Sequence, residues 1–85
     1  MIDKLRKEID SIDNNIIELL SKRKGIVKKI ADIKRQENKS IIDKGREQEI
    51  IHRLKKLSKE NGLDENFIGS VYEIIISNSR NEQGK

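Results

Sequence analysis

Eighty-five residues permit one domain with a thin hydrophobic core. The chain has no cysteine, proline or tryptophan, which excludes a disulfide framework and any thiolate metal site and leaves the redox compartment unreadable. Charged residues make up 40% of it and the formal net charge is +4, a balance suited to nucleic acid, an acidic surface or a small anion. The positive charge is not gathered into one basic run, and the only aromatics are Phe67 and Tyr72. Single-strand binders rely on stacking aromatics, so nucleic acid ranks below a small anion. The apolar runs Ile16-Ile17 and Ile74-Ile75-Ile76 are far short of a membrane span, and Met1-Ile2-Asp3-Lys4 opens no secretory signal. The cytoplasm is the expected location.

The first segment carries a seven-residue apolar repeat. Ile2, Ile9, Ile16 and Ile30 share one heptad position, and Leu5, Ile12, Leu19, Ile26 and Ile33 share the other. The pattern predicts a helix over about residues 3–36, because the lone Gly25 costs only about 1 kcal/mol. Residues 37–42 lose the period and read as a loop. Asp43 is an expected N-cap for a second helix to about Glu60, where Asn61-Gly62 is a stop signal. Asp64 is expected to cap a third helix to about Asn81. The chain is therefore all-α. A helix over residues 3–36 is about 50 Å long at 1.5 Å per residue, whereas a compact 85-residue globule is about 30 Å across. The apolar seam continues to Ile33, so a second copy of the chain is expected to cover it in a homodimer.

Polar residues interrupt the apolar stripes. Seven residues beyond Ile16 comes Arg23. Lys34, eleven further on, projects from nearly the same face about 16 Å along the axis. The stripe of the second helix reads Glu47, Ile50, Leu54, Leu57, and that of the third Ile68, Val71, Ile75, Ser79, Gln83, with Tyr72 and Ile76 alongside. An ordinary account pairs Arg23 with Glu47 as an internal salt bridge, or lets the arginine snorkel outward. That account leaves a surplus cation, and burying an unpaired cation costs several kcal/mol. A ligand bearing carboxylates or phosphates supplies the missing anion. Arg6 is about 25 Å from Arg23 along the same straight helix, too far to share its site except across a dimer.

These positions resemble the all-helical chorismate mutases over almost the whole chain. Leu5-Arg6 with Ile9-Asp10 and Ile12-Asp13 is similar to that family's first-helix signature, continued by Leu19-Leu20-Ser21-Lys22-Arg23 and by Ile30-Ala31-Asp32-Ile33-Lys34. Asp43-Lys44-Gly45-Arg46-Glu47 resembles the element opening the family's second helix, and Ser79 and Gln83 fall at the right spacing on the third. The resemblance implies an intertwined dimer with three helices per subunit, a long first helix and two sites. The implied reaction is the Claisen rearrangement of chorismate to prephenate, without cofactor or metal. Arg23 and the other subunit's Arg6 would hold the two carboxylates, and Lys34 and Gln83 would donate to the ether oxygen. Glu47, with the backbone near Asp43, would receive the ring hydroxyl. Arg46 and Ser79 would complete the polar wall, with Ile30 and Ile76 packing on the ring.

Such residues suit a pericyclic reaction, which needs no nucleophile. Arginines grip carboxylates in bidentate fashion and so trap a flexible dianion in a reactive conformer. A fixed cation at the ether oxygen stabilises charge that develops only as the bond breaks. His52, the only histidine, is expected on a solvated helix face and has no assigned role. Two rivals remain: an isochorismate pyruvate-lyase, which resembles the mutases in fold, and a basic helical interaction module, which leaves the inward Arg23, Lys34 and Glu47 without a purpose.

Overall fold

A computed structural model describes the backbone of residues 1–83 and the side chains of residues 1–81. It contains three helices: α1, Ile2–Gln36; α2, Lys44–Glu60; and α3, Glu65–Gln83. Each lies within a residue or two of the expected span, the ordinary margin at fraying ends. Gly25 passes through α1 without a break, and a Cβ there would meet open space.

Local signals set the ends. Asn38 takes φ 58°, a left-handed conformation that asparagine tolerates better than most residues. This lets the Lys39 amide donate back to the Lys34 carbonyl at 2.9 Å and closes α1. The reading of residues 37–42 as loop had no role for Asn38 as this stop. Asp43 caps α2 as expected, its side chain accepting from the Arg46 amide at 3.0 Å. At the far end Gly62 adopts φ 71° and Leu63 N–H donates to the Ser58 carbonyl at 2.8 Å. Asp64 then accepts from the Asn66 amide at 2.8 Å and starts α3.

α3 is the element that joins the others. It packs against α2 and against α1, whereas α1 and α2 do not pack against one another. Gly69 of α3 lies where Lys55 crosses from α2; a Cβ there would sit 2.7 Å from Lys55 Cε. Among the described residues the buried apolar side chains are Ala31 and Ile76, Ser58 is the buried polar one, and Gly69 is buried as well. Leu57, expected on the inward stripe of α2, is 45% exposed. The inward row passes instead through Leu54 to Ser58, four residues on, whose hydroxyl donates to the Leu54 carbonyl at 2.6 Å.

The long axis measures 56 Å and the radius of gyration is 15.8 Å, against about 12 Å for a compact chain of this length. Every residue from 1 to 22 is exposed, including the heptad residues Leu5, Ile9, Ile12, Ile16 and Leu19. No helix among the described residues is long and apolar enough to cross a membrane.

Because the space beside Gly62 is open, Gly62→Ala should cost only backbone strain, about 1 kcal/mol. A lowered urea midpoint with unchanged slope checks this, and a variant as stable as the parent contradicts it.

Candidate active site

The gap left between α1 and α2 is a cavity of about 460 Å³, within the usual size range of small-molecule sites, and α3 closes it. Leu19, Ile26, Val27 and Ile30 of α1, Ile50 of α2 and Ile76 of α3 give it apolar walls. Into it α1 brings Lys22, Arg23 and Lys34, and α2 with its preceding loop brings Asp43, Arg46 and Glu47. Ser79 enters from α3. Periodicity alone explains the gathering: Arg23 continues the Ile9 and Ile16 row of α1, and Glu47 opens the inward stripe of α2.

Arg23 is half-buried and donates to Ser79 Oγ at 2.7 Å, while Ser79 donates to the Ile75 carbonyl at 3.0 Å. The serine thus fixes the guanidinium by one of its nitrogens, and a guanidinium has further N–H groups to donate. Lys34, also half-buried, reaches the Ile41 carbonyl at 3.5 Å, a long contact for an ammonium. Neither cation pairs with a carboxylate among the described residues.

The salt bridge between Arg23 and Glu47 weighed from sequence does not form. Arg80 of α3 takes Glu47 instead, with Nε donating to Oε2 at 2.8 Å and a terminal nitrogen closing on Oε1. That hydrogen bond holds the Glu47 carboxyl below the usual carboxylate range; burial and the neighbouring Asp43 oppose it, and Lys44 assists. The same contact stabilises the charged form of Arg80. Sequence reasoning missed Arg80, although a signal existed: Tyr72, Ile76 and Arg80 recur at four-residue spacing along the row beside the α3 stripe.

The remaining expected residues divide. Asp43 lines the cavity, but its carboxylate is occupied by the α2 cap. Arg46 lines it while its side chain is 55% exposed and its guanidinium bonds Glu49 at 3.2 Å. Arg6 is exposed in the unaccompanied half of α1, far from this cavity. The Gln83 side chain lies outside the described residues. His52 is exposed. Among the described residues no group of three His, Asp or Glu is placed to hold a metal ion.

A profile of the family described as chorismate mutase type II matches residues 5–84, nearly the whole chain. The chain belongs to the type II chorismate mutase family. It is 41% identical over 83 residues to a chorismate mutase of Methanocaldococcus jannaschii, covering 94% of this chain and 84% of that protein. It is also 42% identical over 74 residues to a bifunctional chorismate mutase/prephenate dehydratase of Buchnera aphidicola from Schizaphis graminum, and 28% identical over 75 residues to the Escherichia coli protein of the same description. These matches cover 87% and 88% of this chain but 19% of each bifunctional protein. The chain thus spans most of the archaeal chorismate mutase and about one-fifth of the bifunctional relatives.

The Glu47–Arg80 pair in this chorismate mutase fold couples stability to pH. With the folded carboxyl below its unfolded value, the pair's contribution is complete above the unfolded range, about pH 4.3, and is lost as pH falls through the folded value. The gap in urea midpoint between the parent and Glu47→Gln should therefore be widest near neutrality and shrink toward pH 3. A gap that does not change with pH contradicts this.

Proposed function

We propose that the chain catalyses the Claisen rearrangement of chorismate to prephenate in the cavity between α1 and α2, as a homodimer with two such sites. The observation that carries this reading is that Arg23 and Lys34 enter one apolar-walled cavity without a carboxylate of their own, Glu47 being held by Arg80. A dianionic substrate satisfies both cations, and family membership names the dianion.

Each side chain then has a physical task. Arg23, steadied by Ser79, grips one carboxylate. Its Cα is about 16 Å from that of Lys34 along α1, so the two long side chains converge on a molecule lying between them. Holding the ring and the enolpyruvyl arm in the folded conformer removes most of the entropic barrier to joining their carbons. As the C–O bond breaks, negative charge grows on the ether oxygen. Lys34 meets that charge, leaving the Ile41 carbonyl for a better acceptor, with Gln83 assigned as second donor. Glu47 accepts the ring hydroxyl, Asp43 and Arg46 complete the polar rim, and Ile30 and Ile76 pack against the ring. No proton needs to leave the substrate and no covalent bond to the protein is required.

The second carboxylate is assigned to Arg6 of the other subunit. Support comes from the exposed heptad row of α1, which matches the row of another copy in an isologous pair. Arg6 lies about 25 Å of helix from Arg23, a distance that a crossing α1 from a second chain bridges.

Loss of the chorismate diene absorbance with formation of prephenate tests the activity. No change would favour a binding module, and pyruvate released from isochorismate without prephenate would favour the lyase. Lys34→Ala should lower kcat by roughly 100- to 1,000-fold with a much smaller change in KM; a change confined to KM would make Lys34 a binding group only. Arg6→Ala and Arg23→Ala should each be inactive, yet regain about one-quarter of the parent activity when co-refolded, since half the dimers then hold one intact site. Failure to regain activity, or a monomer in sedimentation at micromolar concentration, contradicts the shared site.

A further inference from the structure

Glu47 is a partition between two spaces. On one side it lines the cavity with Arg23 and Lys34; on the other it lines a smaller one of about 330 Å³ between α2 and α3. Arg80 lines the second space and not the first. The guanidinium therefore reaches the carboxylate from behind, with respect to the proposed substrate. It engages both oxygens, a bidentate geometry that defines the plane of the carboxylate as well as its position. The Glu47 side chain is 17% exposed and that of Arg80 40%, so the acid is enclosed while its partner leads out toward solvent.

We propose that Arg80 is a positioning residue for the reaction: closing on Glu47 from the far side of the cavity, it fixes the carboxylate as acceptor for the substrate's ring hydroxyl. This rests on the reading of the cavity given above. A glutamate has three side-chain torsions, and one left free samples rotamers that point away from a ligand. A carboxylate oxygen engaged by a guanidinium retains a lone pair, so Arg80 and a hydroxyl can be bound together. The pairing also keeps Glu47 an anion, the form that can only accept. Its other charged neighbours do not replace Arg80. On α2 and its cap they are Asp43, Lys44 and Arg46, with Arg46 bonded to Glu49 and Asp43 repelling. On α3 Glu73 lines the rear space, and on α1 Lys22, Arg23 and Lys34 line the front one, meant for substrate.

The alternative role for Arg80 is a staple between α2 and α3 with no bearing on chemistry. Arg80→Met keeps the stem and removes the charge; Arg80→Lys keeps the charge and loses the fork. With chorismate as probe, Arg80→Met should lower kcat/KM roughly ten- to 100-fold at neutral pH, the scale of a misplaced polar contact. The acid limb of its pH profile should move to higher pH, because burial and Asp43 then act on Glu47 without Arg80 to oppose them. Arg80→Lys should restore the acid limb and only part of kcat/KM. Added to Glu47→Gln, either substitution should have little further effect on kcat/KM. A pH profile superimposable on the parent's with only a lowered Tm overturns the proposal, as does a full additional loss in the Glu47→Gln background. Should Arg80→Met not fold, the test is read on Arg80→Lys: a kcat/KM equal to the parent's with only a lowered Tm overturns the proposal, as does a full additional loss in the Glu47→Gln background. A parent enzyme without mutase activity would instead remove the underlying reading of the cavity, a result separate from any behaviour of the variants.

Discussion

A helix of 35 residues cannot be buried by the rest of an 85-residue chain. That constraint governs the molecule. Among the described residues only α3 packs on α1, and residues 1–22 carry their apolar row into solvent. Hydrophobic burial is the dominant favourable contribution to folding, and here the single chain encloses little more than Ala31 and Ile76. Most of the burial that would stabilise the fold must therefore come from a surface the chain does not itself supply. The proposed dimer answers this need, and it also brings a distant arginine to the site. Stability and catalysis are in this view two results of one helix being too long.

The second organising feature is the role of α3. It packs on both other helices while they stay apart, so the cavity is the space that α3 bridges. Its floor is apolar at Ile76 and polar at Ser79, one turn away. The cations come from α1 and the anion from α2, which keeps them separated across the gap. Arg80, on the same floor helix, takes the anion before the cations can. The proposed preference for a dianion rests on this distribution of charge rather than on any one residue.

Much of this was legible in the residues. The heptad row of α1 was visible because Ile and Leu recur without a break, and the overlength argument needed only the rise per residue. Asp43, Gly62 and Asp64 marked their turns because each supplies a specific backbone requirement: a carboxylate acceptor, a positive φ, a second acceptor. Arg23, Lys34 and Glu47 stood out as charges on apolar rows. Asn38 was less readable, since an asparagine among Glu37, Lys39 and Ser40 looks like any loop residue until its φ is known. Leu57 and Ser58 exchanged roles because rotation about α2 by one residue is finer than a periodicity argument resolves. Arg80 was hidden for a different reason: an arginine in the last turn of a helix is already explained by the helix dipole. Only the relative placement of α2 and α3 reveals that it faces Glu47. No pattern along one chain states which helices fail to touch.

The separation of α1 from α2 also bears on how such a protein can change over generations. In the proposed dimer α1 is committed twice, its apolar row to assembly and its cations to the ligand, so few of its inward positions are free to vary. Among the described residues α2 packs on α3 and otherwise borders the open gap. Substitutions at its cavity-facing positions, Ile50 among them, could reshape the space without disturbing the surface on which two copies would meet. New substrate preferences in this scaffold should thus arise first along α2, while α1 changes slowly.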